Sequence, residues 1–155
     1  MILRLIIALS ILVLASCSCM HTKKLVGSTG YSLRTTSQWQ RIPAPVIEST
    51  LESLALVDID SKNMVVLYIF VKSDTNDVVD MLWDNMSKQK VSITDITLST
   101  LIDDGLEFNV VDQNVYLKTI VVSNDEFTFV MQILCPNNTS LTDETQRLIR
   151  SFHLD

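Results

Sequence analysis

The stretch Met64 to Val71, MVVLYIFV, decides how the chain folds. It is apolar at odd and even positions alike, so neither face of a strand made from it can lie in water. Such a strand has to be covered on both sides. The segments around it indicate what can cover it. Ser61-Lys62-Asn63 reads as a hairpin loop, and before it Leu54 to Asp60 alternates, with Ala55, Val57 and Ile59 on one face. Earlier still, Tyr31 to Arg34 reads as a first strand. Trp39 follows, and then Ile42-Pro43-Ala44-Pro45, too rich in proline to be a central strand.

After Val71 the hydrophobic period changes. Asp74 or Thr75 can cap a helix, and Asp77 suits the positive end of its dipole. Val78, Val79, Leu82, Trp83 and Met86 make a helical stripe running to about Lys90. Four β-like segments follow at 93–102, 106–111, 115–122 and 127–135. Asp103-Asp104-Gly105, Asp112-Gln113-Asn114 and Ser123-Asn124-Asp125 separate them as turns. Spacings this short make hairpins, and so an antiparallel meander. Pro136-Asn137-Asn138 ends the last segment. Ser140 with Asp143 resembles a capping box for a final helix lined by Leu141, Thr145, Leu148, Ile149 and Phe152. The fold class is α+β. Two amphipathic helices and a doubly apolar strand predict an antiparallel β-sheet flanked by two helices, an α/β/α sandwich.

The N-terminus carries a different signal. One positive charge, Arg4, precedes a run from Leu5 to Ala15 interrupted only by Ser10. About 20 apolar residues are needed to span a bilayer, so this run fits the core of a secretory signal instead. It ends in Leu14-Ala15-Ser16-Cys17, which resembles the lipobox of bacterial lipoproteins. That resemblance implies cleavage before Cys17 and diacylglycerol on its sulfur, with two or three acyl chains giving stable anchoring where one would not. The expected organisation is a signal peptide over 1–16, a lipidated tether over 17–29 and a single domain over 30–155. Ser18 stands where aspartate commonly retains lipoproteins at the inner membrane, which implies the inner leaflet of the outer membrane, with the domain in the periplasm.

The quoted segments also resemble the PsbP-like and DcrB-like fold family. GYSLRTTSQWQ matches its opening strand and tryptophan turn, with Thr36 where proline is common. TNDVVDMLWDNMSKQ matches its first helix, and LTDETQRLIRSFHL its closing helix. The resemblance spans Gly30 to Leu154. It implies the sandwich and a protein-binding role, with no shared chemistry to transfer.

Charge narrows the partners. Losing Arg4 with the leader takes the formal charge from −6 to −7. That argues against nucleic acid and against electrostatic adhesion to anionic lipid, leaving the Cys17 lipid as the membrane attachment. Catalytic signals are weak. His21 lies in the tether and His153 near the C-terminus, and no nucleophile has an evident partner. Asp58 with Asp60, and Asp103 with Asp104, read as solvated hairpin ends rather than half of a metal site. Asn85, Asn137 and Asn138 match a glycosylation pattern that a bacterial lipoprotein would not use. Cys19 and Cys135 either stay unpaired, with Cys135 buried at a strand end, or form a disulfide that an oxidising compartment permits. Trp83 is expected to pack on the sheet. Trp39, beside the proline turn, is expected to be partly exposed and to contact a partner. No cofactor is expected. The reading is a non-catalytic envelope lipoprotein that binds a protein partner as an accessory or assembly factor. The alternative is a periplasmic immunity lipoprotein neutralising a toxic effector, since acidic charge would steer it towards basic toxins.

Overall fold

A computed structural model describes residues 22–45, 47–89, 91–112, 114–136 and 140–154. The described chain is mostly antiparallel β-sheet with two helices, an α+β arrangement. In chain order the strands are β1 (Lys23–Val26), β2 (Tyr31–Thr35), β3 (Trp39–Ile42), β4 (Glu52–Asp58) and β5 (Met64–Val71). Helix α1 (Thr75–Ser87) follows. Next come β6 (Ser92–Ile93), β7 (Thr97–Leu98), β8 (Leu106–Asp112), β9 (Val115–Ser123) and β10 (Phe127–Pro136). Helix α2 (Asp143–Arg150) and β11 (His153–Leu154) close the chain.

Strand β5 lies near the middle of the larger sheet, whose order is β3-β4-β5-β10-β9-β8-β6, with β7 also on β8. Every pairing is antiparallel, and β5 meets β10 in a ladder from Phe127–Val71 to Leu134–Met64. Alternation sends its side chains to opposite faces. Val65, Leu67 and Ile69 enter one core with Leu33, Phe129, Ile133, Leu148 and Ile149. Val66 and Tyr68 enter a second core with Val79, Phe108, Val121 and Val130. Residues of α2 and of a small sheet of order β1-β2-β11 pack in the first core, and Val79 of α1 packs in the second.

Local chemistry fixes the element ends. The Asp74 side chain caps α1 by accepting from the Asn76 amide at 2.8 Å, and these bonds hold its carboxyl below the usual carboxylate range. Thr142, not Ser140, caps α2, accepting from the Thr145 amide at 3.2 Å, so the cap lies two residues beyond the expected one. At the β1–β2 turn, Gly30 has φ +78, and a Cβ on Gly27 would stand 1.8 Å from the Tyr31 ring, so glycine is required at both.

Three expectations over the strands are corrected. Within the tether expected over 17–29, Lys23–Val26 forms a strand paired with β2. The strand predicted at 93–102 is two short pieces. Between them the Thr94 side chain takes over a ladder position, its Oγ1 accepting from the Asn109 amide at 2.8 Å. Strand β4 ends at Asp58, so Ile59 is an exposed turn residue. It does not continue the Ala55 face.

Candidate functional site

Trp39 does not supply the predicted contact surface. It begins edge strand β3, and alternation turns its ring into the first core, where it is 8% exposed. Proximity to prolines suggested exposure, but the register of the strand decides otherwise. Trp83 packs against the second core and donates its indole N–H to the Thr94 carbonyl at 2.9 Å.

Cys17, Cys19 and His21 lie outside the described residues. Cys135 is a free, fully buried thiol near the end of β10, opposite Tyr116. Burial pushes the thiol up to about 11. His153 is exposed on β11. Asp58 is engaged with its own turn, accepting from the Asp60 amide at 2.9 Å and the Ser61 hydroxyl at 2.8 Å, while Asp60 accepts from Gln38 at 2.8 Å. Asp103 and Asp104 are exposed in a turn where Asp104 has φ 58. Among the described residues no three His, Cys, Asp or Glu side chains converge as metal ligands, and no helix is long and apolar enough to cross a membrane.

A concave site does exist, on the α1 side of the sheet. It is a groove of about 500 Å³, within the ~300–1,000 Å³ typical of ligand sites. Its floor comes from β5 and β10, where Tyr68 pairs with Val130 in register and Phe70 and Gln132 flank them. One wall is α1, through Val78, Met81 and Leu82. Across from it stand Ile47 and Glu48, from the loop after β3.

Two polar groups stand in this apolar setting. Tyr68 is buried by its ring, and burial raises its hydroxyl above the ordinary phenol value. Neither that hydroxyl nor the Gln132 carboxamide has a side-chain hydrogen-bond partner among the described residues. A few convergent polar groups on an apolar floor are the usual make-up of a binding site. At the rim, Met81 is 55% exposed and Ile47 is also exposed. Asp77, Asp80 and Asp84 share the outward face of α1 with Met81 through i,i+3 and i,i+4 spacings. Asp84 pairs with Lys88 at 3.6 Å, while Asp77 and Asp80 have no cation within pairing distance among the described residues.

The sequence reading passed over this site. Met81 fell outside the helical stripe, and Tyr68 was absorbed into a strand read as core. Gln132 is an available signal, a polar residue that shares the strand face of Thr128 and Val130 in the mostly apolar FTFVMQILC.

No protein-family model matches the chain, and no curated protein does. A solved structure from Bacteroides thetaiotaomicron is similar in fold, with a TM-score of 0.56 at 15% sequence identity. The match covers 88% of this chain and 49% of that one, so the chain spans about half the length of the protein it resembles. At this identity the likeness is one of fold alone.

Proposed function

We propose that the chain is a non-catalytic lipoprotein of the bacterial cell envelope, anchored through Cys17, whose domain binds a protein partner as an accessory or assembly factor. The observation that carries the binding role is the apolar groove between α1 and the sheet, open at Met81 and Ile47 and holding two polar groups without side-chain partners among the described residues. The leader ending in Leu14-Ala15-Ser16-Cys17 supports the anchor, and Ser18 favours the outer membrane. The placement of α1 on one face and α2 on the other supports reading the fold as an α/β/α sandwich of the PsbP-like type, with the small sheet as an addition to the α2 layer. A second reading, an immunity protein against a basic toxin, draws on the unpaired carboxylates of α1. A toxin gene beside this one would favour it.

The anchor is tested first. Mass spectrometry of membrane-extracted protein is expected to find an acylated Cys17 at the amino terminus, and Cys17→Ala is expected to release the protein from the membrane. A Cys17→Ala protein as firmly membrane-bound as the wild type would overturn the lipoprotein assignment. Recovery in inner-membrane fractions of a sucrose gradient would overturn the sorting.

A further inference from the structure

The groove and the charge beside it together specify what sort of partner fits. Its floor is apolar, so an occupant gains by burying apolar side chains there, at ~25 cal/mol per Å². Tyr68 and Gln132 offer a hydroxyl and a carboxamide without side-chain hydrogen-bond partners among the described residues, suited to the N–H and C=O groups of a peptide backbone. Glu48 and Asp77 border the groove, and Asp80 continues the acidic strip along α1. Neither Asp77 nor Asp80 is neutralised by a neighbouring cation among the described residues. An anionic occupant would meet this strip at close range, whereas lysine or arginine flanking an apolar anchor would complement it. Met81, flexible and exposed between the groove and the acidic strip, can adapt to the shape of that anchor.

We infer that the α1 groove holds a basic polypeptide segment of the partner, seating apolar side chains over Tyr68, Phe70 and Val130 while its Lys or Arg residues face Glu48, Asp77 and Asp80. The inference rests on the protein-partner reading above and adds the chemistry of the bound segment.

The test uses the full, processed chain in nanodiscs of zwitterionic phosphatidylcholine, with empty discs as the control. Two fluorescent peptides serve as probes, one of leucine and lysine and one of leucine and glutamate, and binding is read by anisotropy. The leucine–lysine peptide is expected to bind, more weakly as salt rises, and the leucine–glutamate peptide is not. Met81→Lys, at an exposed position, is expected to weaken binding roughly tenfold or more with an unchanged circular dichroism spectrum. Asp77→Asn with Asp80→Asn is expected to flatten the salt dependence. Equal binding of both peptides, or wild-type affinity in folded Met81→Lys, overturns the inference. Displacement of the peptide by a zwitterionic lysolipid would make the groove an amphiphile site and overturn it too. So would a dimer, seen in sedimentation of the chain alone, that Met81→Lys dissociates. These results are separable from the parent reading. A partner co-purified from host membranes whose binding ignores Met81→Lys leaves that reading standing without this groove. An unacylated Cys17 removes the anchor, whatever the peptides do.

Discussion

The two faces of strand β5 are built differently. On the α2 side, Val65, Leu67 and Ile69 disappear beneath α2 and the small sheet. Phe129 and Phe152 pack edge to face at 5.7 Å there, and Tyr31 stacks on Phe152 at 6.2 Å. Several polar groups on that side are tied into the fold, although Trp39 Nε1, Asn63 Oδ1 and one Glu107 oxygen are buried there without a partner. The Asn63 amide donates to Thr145 on α2 at 3.0 Å, and Tyr31 donates to Glu52 at 3.2 Å. On the α1 side the helix buries only Val79 completely and leaves a groove beside it, lined by Tyr68 and Gln132, whose polar ends have no side-chain partner among the described residues. One face contributes stability through continuous packing. The other gives up part of its packing, and the apolar floor it leaves uncovered is available to a ligand. The contrast predicts that variants on the closed face act on unfolding and variants on the open face act on binding.

The largest effect is expected from the ion pair of Lys118 on β9 and Glu107 on β8. Both are 7% exposed and, by strand alternation, point to the closed face. Glu107 keeps one carboxylate oxygen buried and unpartnered. Removing one member of such a pair leaves an uncompensated buried charge, so Lys118→Met is expected to cost ~3–5 kcal/mol in urea unfolding. Glu107→Leu together with Lys118→Met is expected to recover most of that loss. A single variant within about 1 kcal/mol of wild type would show that the pair is hydrated, and that this side is less sealed than its burial implies.

Much of this architecture was legible in the sequence. The doubly apolar MVVLYIFV demanded two covered faces, and the turns at 103–105, 112–114 and 123–125 laid out the meander. What stayed hidden depends on long-range pairing. Lys23-Lys24-Leu25-Val26 carries no strand pattern of its own and is extended because β2 offers it an edge. The prolines near Trp39 suggest exposure, but strand parity, which only the pairing of β3 with β4 sets, turns its ring inward. The groove escaped because Met81 and Gln132 are ordinary residues individually; only the fold puts them on one concavity with Tyr68.

A smaller effect is expected from Cys135 at alkaline pH. Its thiol is pushed up to about 11 in the folded state, by burial, from an ordinary value of 9.0. Between these values the unfolded chain releases a proton that the folded chain retains. Stability from this group is therefore complete below about pH 9 and declines as pH rises through the window up to 11. Cys135→Ala is expected to be less stable near neutrality, through the cavity it leaves, yet to lose less with rising pH. Slow alkylation of native Cys135 by iodoacetamide at pH 8, with rapid labelling in urea, is the companion expectation. Fast native labelling would mean that the closed face opens readily near the end of β10.

The finest comparison is between two tyrosines whose hydroxyls differ in one respect. Tyr31 donates to the Glu52 carboxylate on the closed face; Tyr68 lines the open groove and donates to no group among the described residues. A hydrogen bond to a charged acceptor contributes ~1.5–3 kcal/mol, so Tyr31→Phe should lower the urea midpoint measurably. Glu52 also accepts from the Ser28 amide at 3.1 Å and hydroxyl at 2.8 Å, so it keeps partners without Tyr31, and the loss should fall at the low end of that range. Tyr68→Phe removes an oxygen that bonds to no group among the described residues, and its unfolding free energy should stay within ~0.5 kcal/mol of wild type. The same change should weaken the leucine–lysine probe severalfold, because the bound backbone loses a partner inside a low-dielectric groove. A Tyr68→Phe protein destabilised as much as Tyr31→Phe would assign that hydroxyl a structural role, and the two faces would no longer divide stability from binding.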